Sequence, residues 1–299
     1  MCSDMARKSP EKSRNGYSLG IDLGGTKIAA GIVQNRQLIS YVERPTEAFS
    51  SQRRILANIY DASVKAVKAA EINLSDLSFA GLAIPTCPEE NGEVIPECPN
   101  LPKLRRVKIR PLLAKQLGCK VALENDANCF VLGEWFAGAA RKKTNVVGVT
   151  LGTGVGVGIL LNRQLYRGKN WQAGEIWDQP LPDGKIVEDG ISGRKIAEAL
   201  GVQSGADVVR MARRGNPEAR ETISQYGRNV GWLLAFIGRL LDPELFVLGG
   251  SLSQAFDLFE EEVNRFLKGR WEVKVSKLGH RASVIGSAML LNHPYPVRV

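Results

Sequence analysis

The sequence is poor in the residues that hold metals and staple small folds. It has five cysteines, Cys2, Cys87, Cys98, Cys119 and Cys129, and two histidines, His280 and His293. The cysteine count is odd and no C-x-x-C spacing occurs, which argues against both a disulfide framework and a zinc site and reads as reduced thiols in a cytoplasmic protein. A long apolar run is also missing. The longest uncharged stretch, Asn145 to Asn162, is broken by Gly148, Gly152, Gly154, Gly156 and Gly158, and its alternation suits strands rather than a membrane span. Met1 to Gly16 is polar and charged with no apolar core, so it reads as a disordered basic tail rather than a signal peptide or an anchor.

Basic charge is present, but the aromatics that usually accompany nucleic-acid binding are not. Lysine and arginine number 40 against 31 acids, giving +9. Much of the excess lies in Lys103, Arg105, Arg106, Lys108, Arg110, Lys115 and Lys120, within a stretch that contains no acid and no aromatic residue. Without stacking rings this reads as a solvated basic face, and no nucleic-acid partner is expected. Glycine is the one residue in excess: 31 in 299 positions, about 10% against a usual ~7%. Tight turns, or places where backbone approaches a ligand, are the expected cause. The length predicts about two domains.

Along the chain, Tyr17 to Leu23 reads as a strand, bent at Gly24-Gly25-Thr26-Lys27 into a second strand, Ile28 to Val33, and turned at Asn35-Arg36-Gln37 into a third. The same grammar returns downstream. Val146 to Leu151 leads through Gly152-Thr153-Gly154 into Val155 to Leu161, and Asn162-Arg163-Gln164-Leu165 repeats Asn35-Arg36-Gln37-Leu38. Between and after these copies the reading is helix (Ser51 to Ala70), strand (Phe79 to Ile84), a long loop (Pro88 to Pro102), helix (Arg110 to Leu117), strand (Lys120 to Leu123) and helix (Ala127 to Ala140). Helices follow at Gly193 to Leu200, Ala206 to Arg214 and Pro217 to Leu240. A strand at Leu245 to Leu248, a helix over Gln254 to Lys268, a strand at Val273 to Val275 and a helix over Ala282 to Leu291 complete it. This is α/β, with two similar halves facing each other across a cleft.

Four features carry chemistry. Asp22, Gly24, Gly25, Thr26 and Lys27 place an acid and bare amides at a hairpin bend, where phosphate could approach and Asp22 could hold magnesium through water; a plain turn is the simpler reading of that bend alone. Thr150, Gly152, Thr153 and Gly154 repeat the bend, so two turns could clamp one polyphosphate. Gly249, Gly250 and Ser251 form a third glycine turn after a strand. Glu124-Asn125-Asp126 stands where an apolar strand meets a helix; a helix cap is the simpler role, and a base for a substrate hydroxyl is the functional one.

Taken in order, Gly20-Ile-Asp-Leu-Gly-Gly-Thr-Lys27, Pro99-Asn-Leu-Pro102, Glu124-Asn-Asp-Ala-Asn128, Leu151-Gly-Thr-Gly-Val-Gly156, Tyr166-Arg-Gly168, Ala173-Gly-Glu-Ile176 and Leu248-Gly-Gly250 resemble the ROK sugar kinases of the actin-like, hexokinase-type ATPase superfamily. The resemblance implies two actin-like (ribonuclease H-like) lobes flanking a cleft, a small one of residues 17–122 plus 282–299 and a large one of 123–281. It implies ATP with magnesium, a hexose substrate, glucose first, and a homodimer or homotetramer. It also implies Asp126 as catalytic base, with Asn100, Asn125, Glu175, Glu188 and Asp178 at the sugar. A kinase for an amino sugar, an N-acetylhexosamine or a cyclitol is the alternative, and a sugar-sensing protein without catalysis is one of another class.

Two departures from the family pattern stand out. Glu175 is followed by Ile176-Trp177-Asp178 where the family has Gly-His, and no cysteine occurs after Cys129, so no zinc is expected. Trp171 and Trp177 are read as either core packing or bulk beside the pocket. The 16 residues before Tyr17 are too few for the DNA-binding helix-turn-helix of the family's regulators.

Overall fold

The computed structural model describes residues 16–89 and 92–292; the tail up to Asn15, with Cys2, and the segment from His293 onward lie outside these. The chain builds two five-stranded sheets of the same design. In the first, β1 (Tyr17–Leu23), β2 (Lys27–Gln34) and β3 (Gln37–Pro45) form an antiparallel meander. Helix α1 (Gln52–Ala69), capped by the Ser51 side chain on Arg54 N, leads to β4 (Leu77–Ile84), which pairs parallel to β1. A small hairpin, β5 (Val94–Ile95) with β6 (Val107–Lys108), precedes α2 (Ile109–Leu117) and β7 (Lys120–Asn125), parallel to β4. The order is β3-β2-β1-β4-β7. Helix α3 (Asp126–Ala137) follows.

The second sheet repeats the plan with β8 (Val146–Leu151), β9 (Val155–Leu161) and β10 (Gln164–Leu165). Then come α4 (Val187–Ile191), α5 (Gly193–Ala199), α6 (Gly205–Arg213), α7 (Pro217–Leu241) and β11 (Leu245–Gly249). A 3-10 segment, Ser251–Leu258, leads to α8 (Glu260–Leu267), β12 (Glu272–Val275) and α9 (Arg281–Ala288). The order β10-β9-β8-β11-β12 is that of the first sheet, strand for strand. The repeated Asn-Arg turn has a physical reason. Asn35 and Arg36, like Asn162 and Arg163, all have positive φ, between 49° and 67°, the geometry of a two-residue turn whose twist matches its strands.

The helix that ends each half crosses to the other half. α3 follows the first sheet but packs on β8 and β9, while α9 follows the second sheet but packs on β1, β2 and β4, and the two helices pack on each other. Their contact is reciprocal. A side-chain carbon at Gly133 of α3 would stand 1.9 Å from the Ala282 carbonyl oxygen of α9, and one at Gly286 of α9 would stand 1.8 Å from that of Cys129 of α3. Glycines in the sheets receive the same helices: Gly20 and Gly81 meet the Val284 and Ser287 carbonyls, and Gly158 meets that of Ala127. Much of the glycine excess therefore serves this seam, not only the three turns at Gly24, Gly152 and Gly249. The apolar core divides accordingly into one cluster per sheet and a third at the seam, where Phe79, Phe130, Val247 and Ile285 meet.

Three local expectations change. The helix expected over Gln254 to Lys268 breaks at Phe259, whose buried ring packs edge-on against Tyr226 and Phe256. The loop of Pro88 to Pro102 contributes β5. The basic stretch is partly neutralised by the acids that precede it, with Arg106 on Glu89 at 2.8 Å, Arg105 near Glu97 at 4.0 Å and Arg110 on Glu93.

Candidate active site

The parallel strands bring the candidate residues to one edge. In register, Asp22 of β1 lies beside Ala83 of β4, which lies beside Glu124 of β7, so Asp22, the loop after Ile84 and the Glu124-Asn125-Asp126 junction share the carboxyl ends of the strands, where open α/β sheets present binding groups. In the second sheet, Thr150 of β8 pairs with Gly249 of β11 and Gly156 of β9, which places both remaining glycine turns at the corresponding edge. Ala127 of α3 joins the two edges: its Cβ lies 3.0 Å from where one on Gly156 would be.

Asn125 does cap α3, its Oδ1 accepting from the Ala127 and Asn128 amides at 2.9 and 3.2 Å. It also points its Nδ2 at Glu175 Oε1, 3.4 Å away. The cap and the site role therefore coexist in one side chain. Asp126, the first residue of α3, accepts from the Ala127 amide at 2.8 Å. Burial first, and the Glu175 charge as well, lift its carboxyl to about 6 against the pull of that amide. Asp22 is lifted to about 7, by burial and then by Asp126, with Lys27 opposing. Two partly buried carboxyls thus titrate near neutrality, close enough to feel each other.

Both hairpin turns hold unspent backbone donors. Gly24 N closes on the Lys27 carbonyl at 3.0 Å and Gly152 N on that of Gly154 at 3.0 Å, whereas the Gly25, Thr26, Thr153 and Gly154 amides meet no acceptor among the described residues. Thr46 braces the first turn, its hydroxyl donating to the Gly24 carbonyl at 2.6 Å. The Gly193 amide braces the second through the Gly152 carbonyl at 2.8 Å. Gly25 lies tight against the Asn100 carbonyl, which puts exposed Asn100 at the first turn, and a Cβ on Gly152 would meet nothing within 4 Å. Gly250, at φ 82°, is pressed on the Leu151 carbonyl, and Gly249 lies over the Phe130 ring, with Ser251 opening the 3-10 segment.

The remaining predicted residues divide. Glu175 joins Asn125. Glu188 lies against the second turn, its Oε2 accepting from Val155 N at 3.3 Å and its other oxygen 3.6 Å from Arg194. Lys27 is engaged with Glu43 at 2.7 Å, and Tyr41 donates to the same carboxylate. Asp178 stands exposed, accepting from Gln179 at 2.8 Å, and Trp177 is 49% exposed, whereas Trp171 is buried.

Two groups at the site were given no role of their own from the sequence. Glu124, fully buried, pairs with buried Arg167 and accepts from the Asn125 amide and Asn128 Nδ2, both at 3.0 Å; its signal was an acid ending the apolar run Val121-Ala-Leu. Cys87, on the loop after β4, points its one S–H at two acceptors, the Trp171 carbonyl at 2.7 Å and Glu175 Oε1 at 3.2 Å.

The chain matches the ROK family over residues 18–293. It belongs to the ROK family. A Streptomyces coelicolor glucokinase is 29% identical, covering 94% of this chain and 99% of that protein. A Salmonella gallinarum N-acetyl-D-glucosamine kinase is also 29% identical, covering 78% and 84%. The crystal structure of a ROK family glucokinase from Streptomyces griseus in complex with glucose and AMPPNP superposes with a TM-score of 0.77 at 27% identity, covering 92% of this chain and 99% of that one. The two-sheet α/β design of this ROK protein is the actin-like ATPase fold of its structural neighbours.

No group of three or more His, Cys, Asp or Glu side chains able to hold a metal occurs among the described residues. A single raised carboxylate beside a turn with unspent amides suits magnesium, which takes one or two carboxylates and completes its shell with phosphate oxygens and water. Asp22 has the chemistry for that place.

Proposed function

We propose that the chain is an ATP-dependent sugar kinase that transfers the γ-phosphoryl group of ATP to a hexose hydroxyl, with glucose to glucose 6-phosphate as the first candidate. One observation carries the reading: Asp126 follows Asn125, which reaches Glu175, and both sheets end nearby in turns whose amides are unspent. The Asn125–Glu175 corner suits sugar hydroxyls and the turns suit a polyphosphate.

In this reading Asp126 accepts the proton of the attacking hydroxyl, whose oxygen bonds to the γ-phosphorus as the bond to the departing ADP oxygen breaks. Gly25, Thr26, Thr153 and Gly154 donate to phosphate oxygens, and Gly249, Gly250 and Ser251 border the nucleoside. Asn125, Glu175 and Asn100 orient the sugar, with Glu188 between it and the second turn. Exposed Asp178 is not needed. Magnesium, held by Asp22 through water, would supply neutralisation of phosphate charge. Positioning and preorganised donors then account for most of the rate.

An N-acetylhexosamine as substrate is the second reading. It is favoured by Ile176-Trp177-Asp178 after Glu175 and by the equal identity to relatives named for both sugars. The packing of α9 on the first sheet supports lobes of 17–122 with 282–292, and of 123–281; residues 293–299, placed with the small lobe by the sequence, lie outside the described residues. Free thiols at Cys87, Cys98, Cys119 and Cys129 fit a reducing cytoplasm, and no described helix is long and apolar enough to cross a membrane. ADP release measured across a sugar panel tests the proposal, with Asp126→Ala as its control. The variant should lose at least roughly a thousandfold in kcat; a variant that kept most of its activity would remove Asp126 from the mechanism.

A further inference from the structure

We infer that the Cys87 thiol is a positioning residue of the sugar site, pinning one oxygen of the Glu175 carboxylate so that the other faces the substrate. The inference deepens the proposed function and rests on Glu175 as a sugar ligand.

The geometry is that of a carboxylate held from one side. Oε1 of Glu175 has two neighbours able to donate, Cys87 Sγ at 3.2 Å and Asn125 Nδ2 at 3.4 Å. Its Oε2 has no donor among the described residues. A carboxylate oxygen without a donor, next to Asp126, is placed to accept from a hydroxyl. Cys87 reaches this corner from the first half of the chain, whereas Glu175 and Trp171 belong to the loop after β10. Its single S–H proton faces two acceptors of the second half, Trp171 O at 2.7 Å and Glu175 Oε1 at 3.2 Å, so the thiol bridges the halves by sharing that proton between them.

The loop after β10 is joined to the first half by the buried Arg167–Glu124 pair at its start and by Cys87 at its middle. The S–H proton is essential to the role, because a thiolate at 3.2 Å from a carboxylate would repel it. Burial first, then the Glu175 charge, push the thiol well above its ordinary range, so it stays protonated at every working pH.

A serine at this position keeps a donor with a slightly shorter reach, and an alanine removes it. Full-length wild type, Cys87→Ser, Cys87→Ala, Glu175→Ala and Cys87→Ala/Glu175→Ala are compared by calorimetric binding of D-glucose and N-acetyl-D-glucosamine and by steady-state kinetics. Cys87→Ala should weaken binding of the better sugar, and raise its KM, roughly tenfold, as loss of a hydrogen bond to a charged group predicts. The KM for ATP and the Tm should stay as in wild type, Cys87→Ser should recover most of the loss, and Cys87→Ala should add nothing in the Glu175→Ala background.

Equal sugar affinity in wild type and Cys87→Ala would overturn the inference, as would equal impairment of the serine and alanine variants, which would mean packing alone. Full additivity with Glu175→Ala would do the same. Sugar binding without turnover in wild type would refute the kinase reading and leave the positioning role standing if the binding pattern holds. Failure of wild type to bind either sugar would overturn both.

Discussion

Asp126 and Asp22 tie electrostatics to function at the scale of single residues. A base at about 6 is ionised in neutral solution yet basic enough to take a hydroxyl proton, the compromise that general-base catalysis favours. Because Asp22 at about 7 feels Asp126, the two should titrate as a pair, and kcat/KM should rise with pH along an acid limb between about 6 and 7. Protons and magnesium compete for Asp22, so raising the magnesium concentration should shift this limb to lower pH. A limb fixed against magnesium would place the cation elsewhere.

The same shifts fix the sign of a stability effect. Both carboxyls are raised in the folded state, so their favourable contribution is full below the unfolded value and is lost as pH rises through about 6 and 7. Asp126→Asn should therefore raise Tm at pH 8 by a few degrees, with the gain fading toward pH 4. Thermal scans of the two proteins at both pH values check this, and a lower Tm at pH 8 would contradict it.

Pattern and packing govern different parts of the elements. The hairpins, their Asn-Arg turns and the strand-to-helix junction at Asn125 were legible because each is written in a few consecutive residues. Phe259 was not, since a local helical pattern carries no sign that a ring will be drawn into the Tyr226 core. Nor were the ties of Arg167 to Glu124 and of Cys87 to Trp171, which join positions 43 and 84 apart in the chain. The glycines were legible as an excess but not as a seam, because Gly133 and Gly286 gain their meaning only when α3 meets α9. Gly286→Ala would drive a methyl group into the Cys129 carbonyl, a contact no rotamer relieves. We expect a cost of about 3 kcal/mol, the upper end for overpacking, and a Tm lowered by roughly 10 °C. A denaturation curve matching wild type would show that the helices can part there without cost.

The whole molecule is one plan used twice. Each half offers a glycine turn with unspent amides, and α3, which begins at Asp126, crosses with α9 at the seam between the halves. Part of the charge of +9 is paired locally, with Glu89, Glu93 and Glu97 beside Arg106, Arg110 and Arg105. In the proposed function the two halves hold a sugar beside a nucleotide, and phosphoryl transfer between them is the central claim. Its most direct measurement is sugar-dependent ADP formation from ATP and magnesium by the purified chain, with D-glucose and N-acetyl-D-glucosamine in parallel and Asp126→Ala beside each. Turnover with at least one sugar in wild type, and none in the variant, is the predicted result. ADP formation that ignores the sugar, or that survives in Asp126→Ala, would contradict it.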